Sequence, residues 1–303
     1  MASFNGAALL LRSLGNPLPA GHKFPIRKYR LLRDLLSADG VFSLERARQA
    51  DVETICLAHD RTYVESFVAG TIDPKAMRRI GFPWSEGLVQ RTLASAGGTL
   101  AAATDALDGG FGGTLAGGTH HAFRAEGAGF CVFNDVAIAA HFLRSKGRAR
   151  RFAVVDLDVH QGDGTAAFFE NDPDMLTLSL HGANNFPFRK QRSTIDVELR
   201  DRTSDAEYLN ALEAVLPRVW EFQPEMVFYL SGVDALKSDV LGRLALTADG
   251  LSARDKMVIE GAHGRRIPIV VTLGGGYSDP IELTVEAHAN TFRVAAEVFG
   301  KSA

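Results

Sequence analysis

Cysteine is scarce in this chain. Only Cys56 and Cys131 occur among its 303 residues, far apart and without a CxxC partner. That excludes a disulfide framework and points to a reducing compartment, so we expect a cytoplasmic protein. An excess of one charge is missing too: 33 Lys and Arg face 36 Asp and Glu, giving a net charge of −3 and a pI near 6.3. No global pull toward nucleic acid or anionic lipid results, and neither is expected as a partner. Basic residues do gather in "HKFPIRKYRLLR" (22–33), but apolar residues interleave them at helical spacing, which predicts a solvated helix face.

Long hydrophobic runs are also absent. The early "AALLL" (7–11) is too short for the apolar region of a signal peptide or for a membrane span. No acidic residue precedes Asp34, a feature similar to organellar transit peptides, yet "PLPAGHKFPIRKYRLL" already reads as folded domain. There is no internal repeat, low-complexity tract or Pro/Ser-rich linker. With 46% hydrophobic residues, the chain is expected to form one large domain over 1–303.

What is present is strand–helix alternation. Residues 27–70 read as helical, as does the small-residue-rich "GLVQRTLASAGGTLAAATDAL" (87–107). Four apolar, β-branched runs read as buried parallel strands: 151–159, 175–180, 226–233 and 267–276. Helical stretches at 205–222 and 251–262 separate them, which implies an α/β fold built on a doubly wound parallel sheet. Ligands of such sheets bind beyond the carboxyl ends of the strands, and the polar residues of these runs sit there: Asp158 and His160, Ser179 and His181, Asp234, and Gly274–Tyr277.

"VVDLDVHQGDGT" (154–165) poses the sharpest question, because burying carboxylates is costly unless something compensates them. On a strand, Asp156, Asp158 and His160 share one face, but Asp156 and His160 would lie about 13 Å apart. One ion cannot bridge that. Adjacent members, about 7 Å apart, converge if the strand bends at "HQGDG", so Asp158 and His160 are expected as ligands with Asp156 one layer deeper. Asp234 in "LSGVDALKSD" is the candidate third ligand. One His and two carboxylates around an open position suit catalytic Zn²⁺ or Fe²⁺. The bland alternative makes the aspartates strand-end caps and His160 a core residue.

"LAGGTHHAF" (115–123) puts adjacent histidines in a Gly-rich loop. His120 and His121 are candidate acid and base for metal-assisted hydrolysis, with Asp156 and Asp163 able to accept the other ring N–H of each. Two surface histidines are the default for such a pair taken alone. In "TLGGGYSDP" (272–280), Tyr277 is a candidate oxyanion donor, against an exposed tyrosine on a flexible loop or a phosphate-cradling turn.

Taken together, "SAGGTLAAA", "GGTHHAF", "GFCVFND", "VVDLDVHQGDGT", "LSLHG", "LSGVDALKSDVLGRLALT" and "GGGY" resemble the zinc-dependent histone deacetylase family over most of the chain. "HGANNFPFRKQRSTIDVEL" and the glutamine in "HQGDG" are similar to its class IV branch and bacterial homologues. The resemblance implies an arginase/deacetylase fold with a central eight-stranded, mostly parallel sheet between helices. It implies zinc ligands Asp158, His160 and Asp234; tandem histidines His120 and His121 backed by Asp156 and Asp163 respectively; and Tyr277 at the oxyanion. It implies an acyl-lysine channel at Gly129 and Phe130 with Phe186 opposite. It also implies a structural K⁺ or Na⁺ at Asp156, Asp158, His160, Ser179 and Leu180. Substrates would be acyl-lysine proteins or small acylated amines, with acetyl or longer acyl groups. The opening "MASFNGAALLLRSLG" does not match the first strand of relatives. Three alternatives stay open: an arginase-like amidinohydrolase, which would need two metals; an acetylpolyamine deacetylase; and an inactive acyl-lysine binding module.

Overall fold

The computed structural model describes residues 18, 19 and 21–300, together with the backbone of a short strand at Ala8–Leu10. In chain order the elements are β1 (Ala8–Leu10), α1 (Arg27–Asp39), β2 (Leu44–Arg46), α2 (Val52–Ile55), α3 (Arg61–Ala69), α4 (Pro74–Ile80), α5 (Glu86–Gly109), β3 (Phe111–Thr114), α6 (Asp135–Ser145), β4 (Phe152–Asp156), α7 (Asp163–Phe169) and β5 (Met175–Gly182). They continue with β6 (Ile195–Leu199), α8 (Asp205–Glu221), β7 (Met226–Leu230), α9 (Ala248–His263), β8 (Ile269–Thr272) and α10 (Ile281–Gly300). The eight strands form one sheet in the order β2-β1-β3-β8-β7-β4-β5-β6, and every pairing is parallel. This matches the expected α/β sheet.

Period-two alternation builds the layers. In β4, Phe152 and Val154 enter one core while Ala153 and Val155 enter the other; in β7, Phe228 and Tyr229 divide the same way. One core is closed by α1, α8, α9 and α10, the opposite one by α3 to α7. Asp156 continues the Phe152–Val154 face, so its carboxylate points toward the second layer. Helix starts carry their own signals: Asp60 caps α3 through Tyr63 N (3.1 Å), Ser85 caps α5 through Leu88 N (3.1 Å), and Ser204 with Glu207 forms a capping box on α8.

Two expectations need correction. The span 27–70 is not one helical region: Gly40, at φ 67°, ends α1, and "LER" (44–46) pairs with β1 as an edge strand. The charged residues that suggested a helix there are the ones an edge strand tolerates on its open side. The unmatched opening segment does supply a strand at Ala8–Leu10, between β2 and β3; the rest of "MASFNGAALLLRSLG" lies outside the described residues. The four expected strands occur, three of them (β4, β7 and β8) shorter than expected and β5 running two residues further to Gly182, whereas the short, Gly-containing β3 and the half-polar β6 had no apolar run to announce them.

Candidate metal centre and active site

β4 stops at Asp156, and the chain bends from Asp158 onward, ahead of "HQGDG". The bend is an Asp-centred turn in which His160 N donates to Asp158 Oδ1 at 2.9 Å. It brings His160 Nδ1 to 2.9 Å from Asp158 Oδ1 and 3.1 Å from Asp234 Oδ2. One donor atom from each of the three residues lies within 4.8 Å of the others. Asp158 and Asp234 are fully buried, and each carboxylate has a backbone N–H on its other oxygen: Gly275 N to Asp158 Oδ2 at 2.5 Å, Val159 N to Asp234 Oδ1 at 2.9 Å. Gly275 has no alternative, since a Cβ there would come within 1.8 Å of Asp234 Oδ2.

Without a cation this geometry favours protonation within the cluster. Burial and the Asp158 charge push Asp234 up to about 7. Burial works against charge on His160, but Asp158 and Asp234 outweigh it and raise the imidazole to about 10. Asp158 is held well below the usual carboxylate range despite burial, by His120 and His160. Two carboxylates and an imidazole converging at this distance fit a divalent cation, which would take the place of the shared proton.

The histidine pair stands beside it in the loop after β3. Gly118, at φ 68°, packs so closely on the β8 end that a Cβ would meet Leu273 O at 1.8 Å. Asp135, the last residue of "GFCVFND", ties that loop down, accepting from Gly118 N at 3.1 Å and from Thr119 N at 2.8 Å. His120 Nδ1 then reaches Asp156 Oδ2 at 2.7 Å, and His121 Nδ1 reaches Asp163 Oδ1 at 2.6 Å. Each Nδ1 is engaged by a carboxylate, which leaves each Nε2 for other chemistry; His120 Nε2 is 4.0 Å from Asp158 Oδ1. The two rings titrate apart. Burial and the neighbouring His120 charge lower His121 to about 4. On His120, burial acts downward, but Asp156 and Asp158 raise it to about 9.

A cavity of about 520 Å³ opens over these groups. Asp158, His160, His120, His121, Gly129, Phe130, Phe186 and Tyr277 all line it. The Phe186 ring stands edge-on to His121 with centroids 4.9 Å apart, and Phe130 lies 6.4 Å from the Tyr277 ring. Burial, with Asp234 and Asp158 nearby, pushes the Tyr277 hydroxyl well above its ordinary value, so it stays a proton donor. Ser179 sits beside Asp156 in the β4–β5 register, with Leu180 next along β5; both are buried. Every expected site residue therefore lies at the carboxyl ends of β3, β4, β5, β7 and β8 or in the loops that follow, except Asp163, which opens α7.

Two contributors were not anticipated. Lys28, expected on a solvated face, is buried; its Nζ donates to Gly274 O at 3.1 Å and lies 5.5 Å from the Tyr277 ring centroid. The missed signal is its spacing, i, i+4 and i+8 with the core residues Leu32 and Leu36. Asp239 accepts from Tyr277 N at 2.6 Å and from Leu241 and Gly242 N, both at 2.8 Å, fixing the tyrosine's backbone.

Comparison with known proteins agrees with this geometry. Residues 22–292 match the family described as the histone deacetylase domain. An uncharacterised protein of Picosynechococcus sp. is 44% identical over 290 residues, 93% of this chain and 96% of its own. A histone deacetylase-like amidohydrolase of Pseudomonas aeruginosa is 30% identical over 285 residues, 87% of this chain and 74% of its own. The crystal structure of the HDA15 HD domain matches with a TM-score of 0.78 at 25% identity, covering 98% of this chain and 89% of that one. The chain belongs to the histone deacetylase family and is a metal-dependent hydrolase of amides.

Proposed function

We propose that this protein is a zinc-dependent deacylase that frees lysine side chains or other primary amines from acetyl or longer acyl groups. The observation that carries the reading is the pair of carboxylate-anchored histidines set beside a three-donor cluster in one cavity. Asp158, His160 and Asp234 hold the ion, with Fe²⁺ as the alternative to Zn²⁺ in the cell. A divalent ion bound there would supply Lewis acidity toward the amide carbonyl and make a nearby water easier to deprotonate. His121, kept neutral by burial, accepts the proton of the attacking water at Nε2 while Asp163 holds its Nδ1–H. Tyr277 donates a hydrogen bond to the oxyanion of the tetrahedral intermediate. His120, paired with Asp156, steadies the developing charge, and the histidine pair returns a proton to the departing amine. Gly129, Phe130 and Phe186 line the acyl-lysine channel.

We assign a structural K⁺ or Na⁺ to Asp156, Asp158, His160, Ser179 and Leu180, a placement supported by the adjoining ends of β4 and β5. Among the described residues a single three-ligand group is present, which disfavours the two-metal amidinohydrolase reading. Two free cysteines support a reducing, cytoplasmic setting. No helix among the described residues is long and apolar enough to cross a membrane.

The test is a panel of acetyl-lysine, longer acyl-lysine and acetylpolyamine substrates, assayed with the metal quantified. One zinc per chain and release of free amine from at least one class are expected. Zinc-loaded protein inert on the whole panel would sink the proposal, and two metals per chain would restore the amidinohydrolase reading.

A further inference from the structure

Among the described residues, Arg254 is the largest side chain that folding hides completely, and none of the roles above uses it. It belongs to α9. Its Nε and Nη2 donate to Asp255 Oδ1 at 2.9 and 2.8 Å, and Asp255 is held in turn by the hydroxyls of Tyr229 (2.5 Å) and Thr291 (2.7 Å). The remaining nitrogen, Nη1, donates to two backbone carbonyls: Gly232 O at 2.6 Å and Leu157 O at 3.2 Å.

Those carbonyls stand where the sheet comes apart. The β4–β7 ladder pairs Asp156 with Leu230 and is extended by Leu157 N to Leu230 O at 3.1 Å. Beyond that bond the β7 chain turns to β8 instead, with Ser231 N donating to Thr272 O and Val233 N to Gly275 O. Beyond it the β4 and β7 tips are joined by Val159 N on the Asp234 carboxylate and, among the described residues, by no further backbone rung. Leu157 immediately precedes Asp158, and Gly232 is two residues before Asp234.

We propose that Arg254 is a positioning residue for the metal centre: its guanidinium bridges the β4 and β7 tips and sets the separation of the Asp158 and Asp234 carboxylates. The inference rests on reading those carboxylates as ligands. Asp255 neutralises the guanidinium at hydrogen-bond distance, so the effect is geometric rather than a change in the site's potential. The planar fork matters because it grips Asp255 with two nitrogens and aims the third at both carbonyls. A lysine ammonium keeps the charge and loses that rigid spacing.

The experiment measures the zinc dissociation constant by competition with a chromophoric chelator, alongside kcat, KM and Tm, in Arg254→Lys and in a packing control, Val258→Ala, on the same helix. Arg254→Lys is expected to weaken zinc binding at least tenfold and to lower kcat with KM unchanged. Val258→Ala is expected to lower Tm while zinc affinity and kcat stay at wild-type values. Should Arg254→Lys fail to fold, the double variant Arg254→Gln/Asp255→Asn removes both buried charges together and carries the same expectation. Wild-type zinc affinity and kcat in a folded clamp variant would overturn the inference, as would equal weakening by Val258→Ala. Failure of the wild-type protein to take up zinc would instead overturn the reading of the site itself.

Discussion

On the proposed mechanism, Tyr277 and His121 are the residues whose removal would separate chemistry from binding. The Tyr277 backbone is fixed by Asp239, so Tyr277→Phe should leave fold and zinc content unchanged. Turnover should fall by about 10²–10³-fold, the usual loss when one oxyanion donor is deleted. Near wild-type kcat would remove the oxyanion role. His121→Ala should retain zinc and lose about 10²–10⁴-fold in kcat; full activity there would reassign the base. Their place in the cavity was legible in the sequence because Tyr277 follows an apolar run and the His120–His121 pair stands in a Gly-rich loop beside the other motifs. Lys28 was not, because a lysine in a basic cluster looks solvated until its helix face is known. Asp239 was hidden for a related reason: what it holds is a set of backbone N–H groups, which no sequence motif displays.

The loop after β8 is an element that tolerates almost no change. Its glycines allow the backbone to lie against Asp158 and Asp234, the proposed ligands, and a methyl at 275 would overlap Asp234 Oδ2. Gly275→Ala is therefore expected to strip the zinc, read as metal content after dialysis, with the sheet still intact by circular dichroism. Stoichiometric zinc in that variant would show that the loop and Asp234 are not in contact. Strand identity was readable where an element is buried on both faces, as in β4, β5, β7 and β8. It was unreadable for β2, β3 and β6, which are short, glycine-containing or half-exposed, so that pairing with neighbours rather than composition decides their conformation.

At the scale of the whole molecule, the proposed metal site sets metal and proton in competition for the same cluster. Without metal, Asp234 is raised to about 7 from 3.8, His120 to about 9 and His160 to about 10 from 6.5. From about pH 6.5 upward the folded metal-free state thus binds more protons than the unfolded chain, so its stability should fall as pH rises toward 9. On the proposed reading zinc would displace those protons, so zinc affinity should climb over the same interval. Chelation at pH 8.5 is expected to lower Tm more than chelation at pH 6.5. Titration calorimetry in buffers of differing ionisation enthalpy should register protons released on zinc binding. A Tm loss independent of pH would mean the cluster is not the protonated one.

The sequence by itself determined the α/β alternation, the family, and the identities of the polar residues at strand ends, because periodicity and residue chemistry are local properties. Only the tertiary structure decided that the bend begins right after β4, that β7 lies beside β4 to bring Asp234 to His160, and that Lys28 and Arg254 are buried. Those outcomes depend on which segments become neighbours, and strand order in a parallel sheet is set by packing across distant stretches of chain.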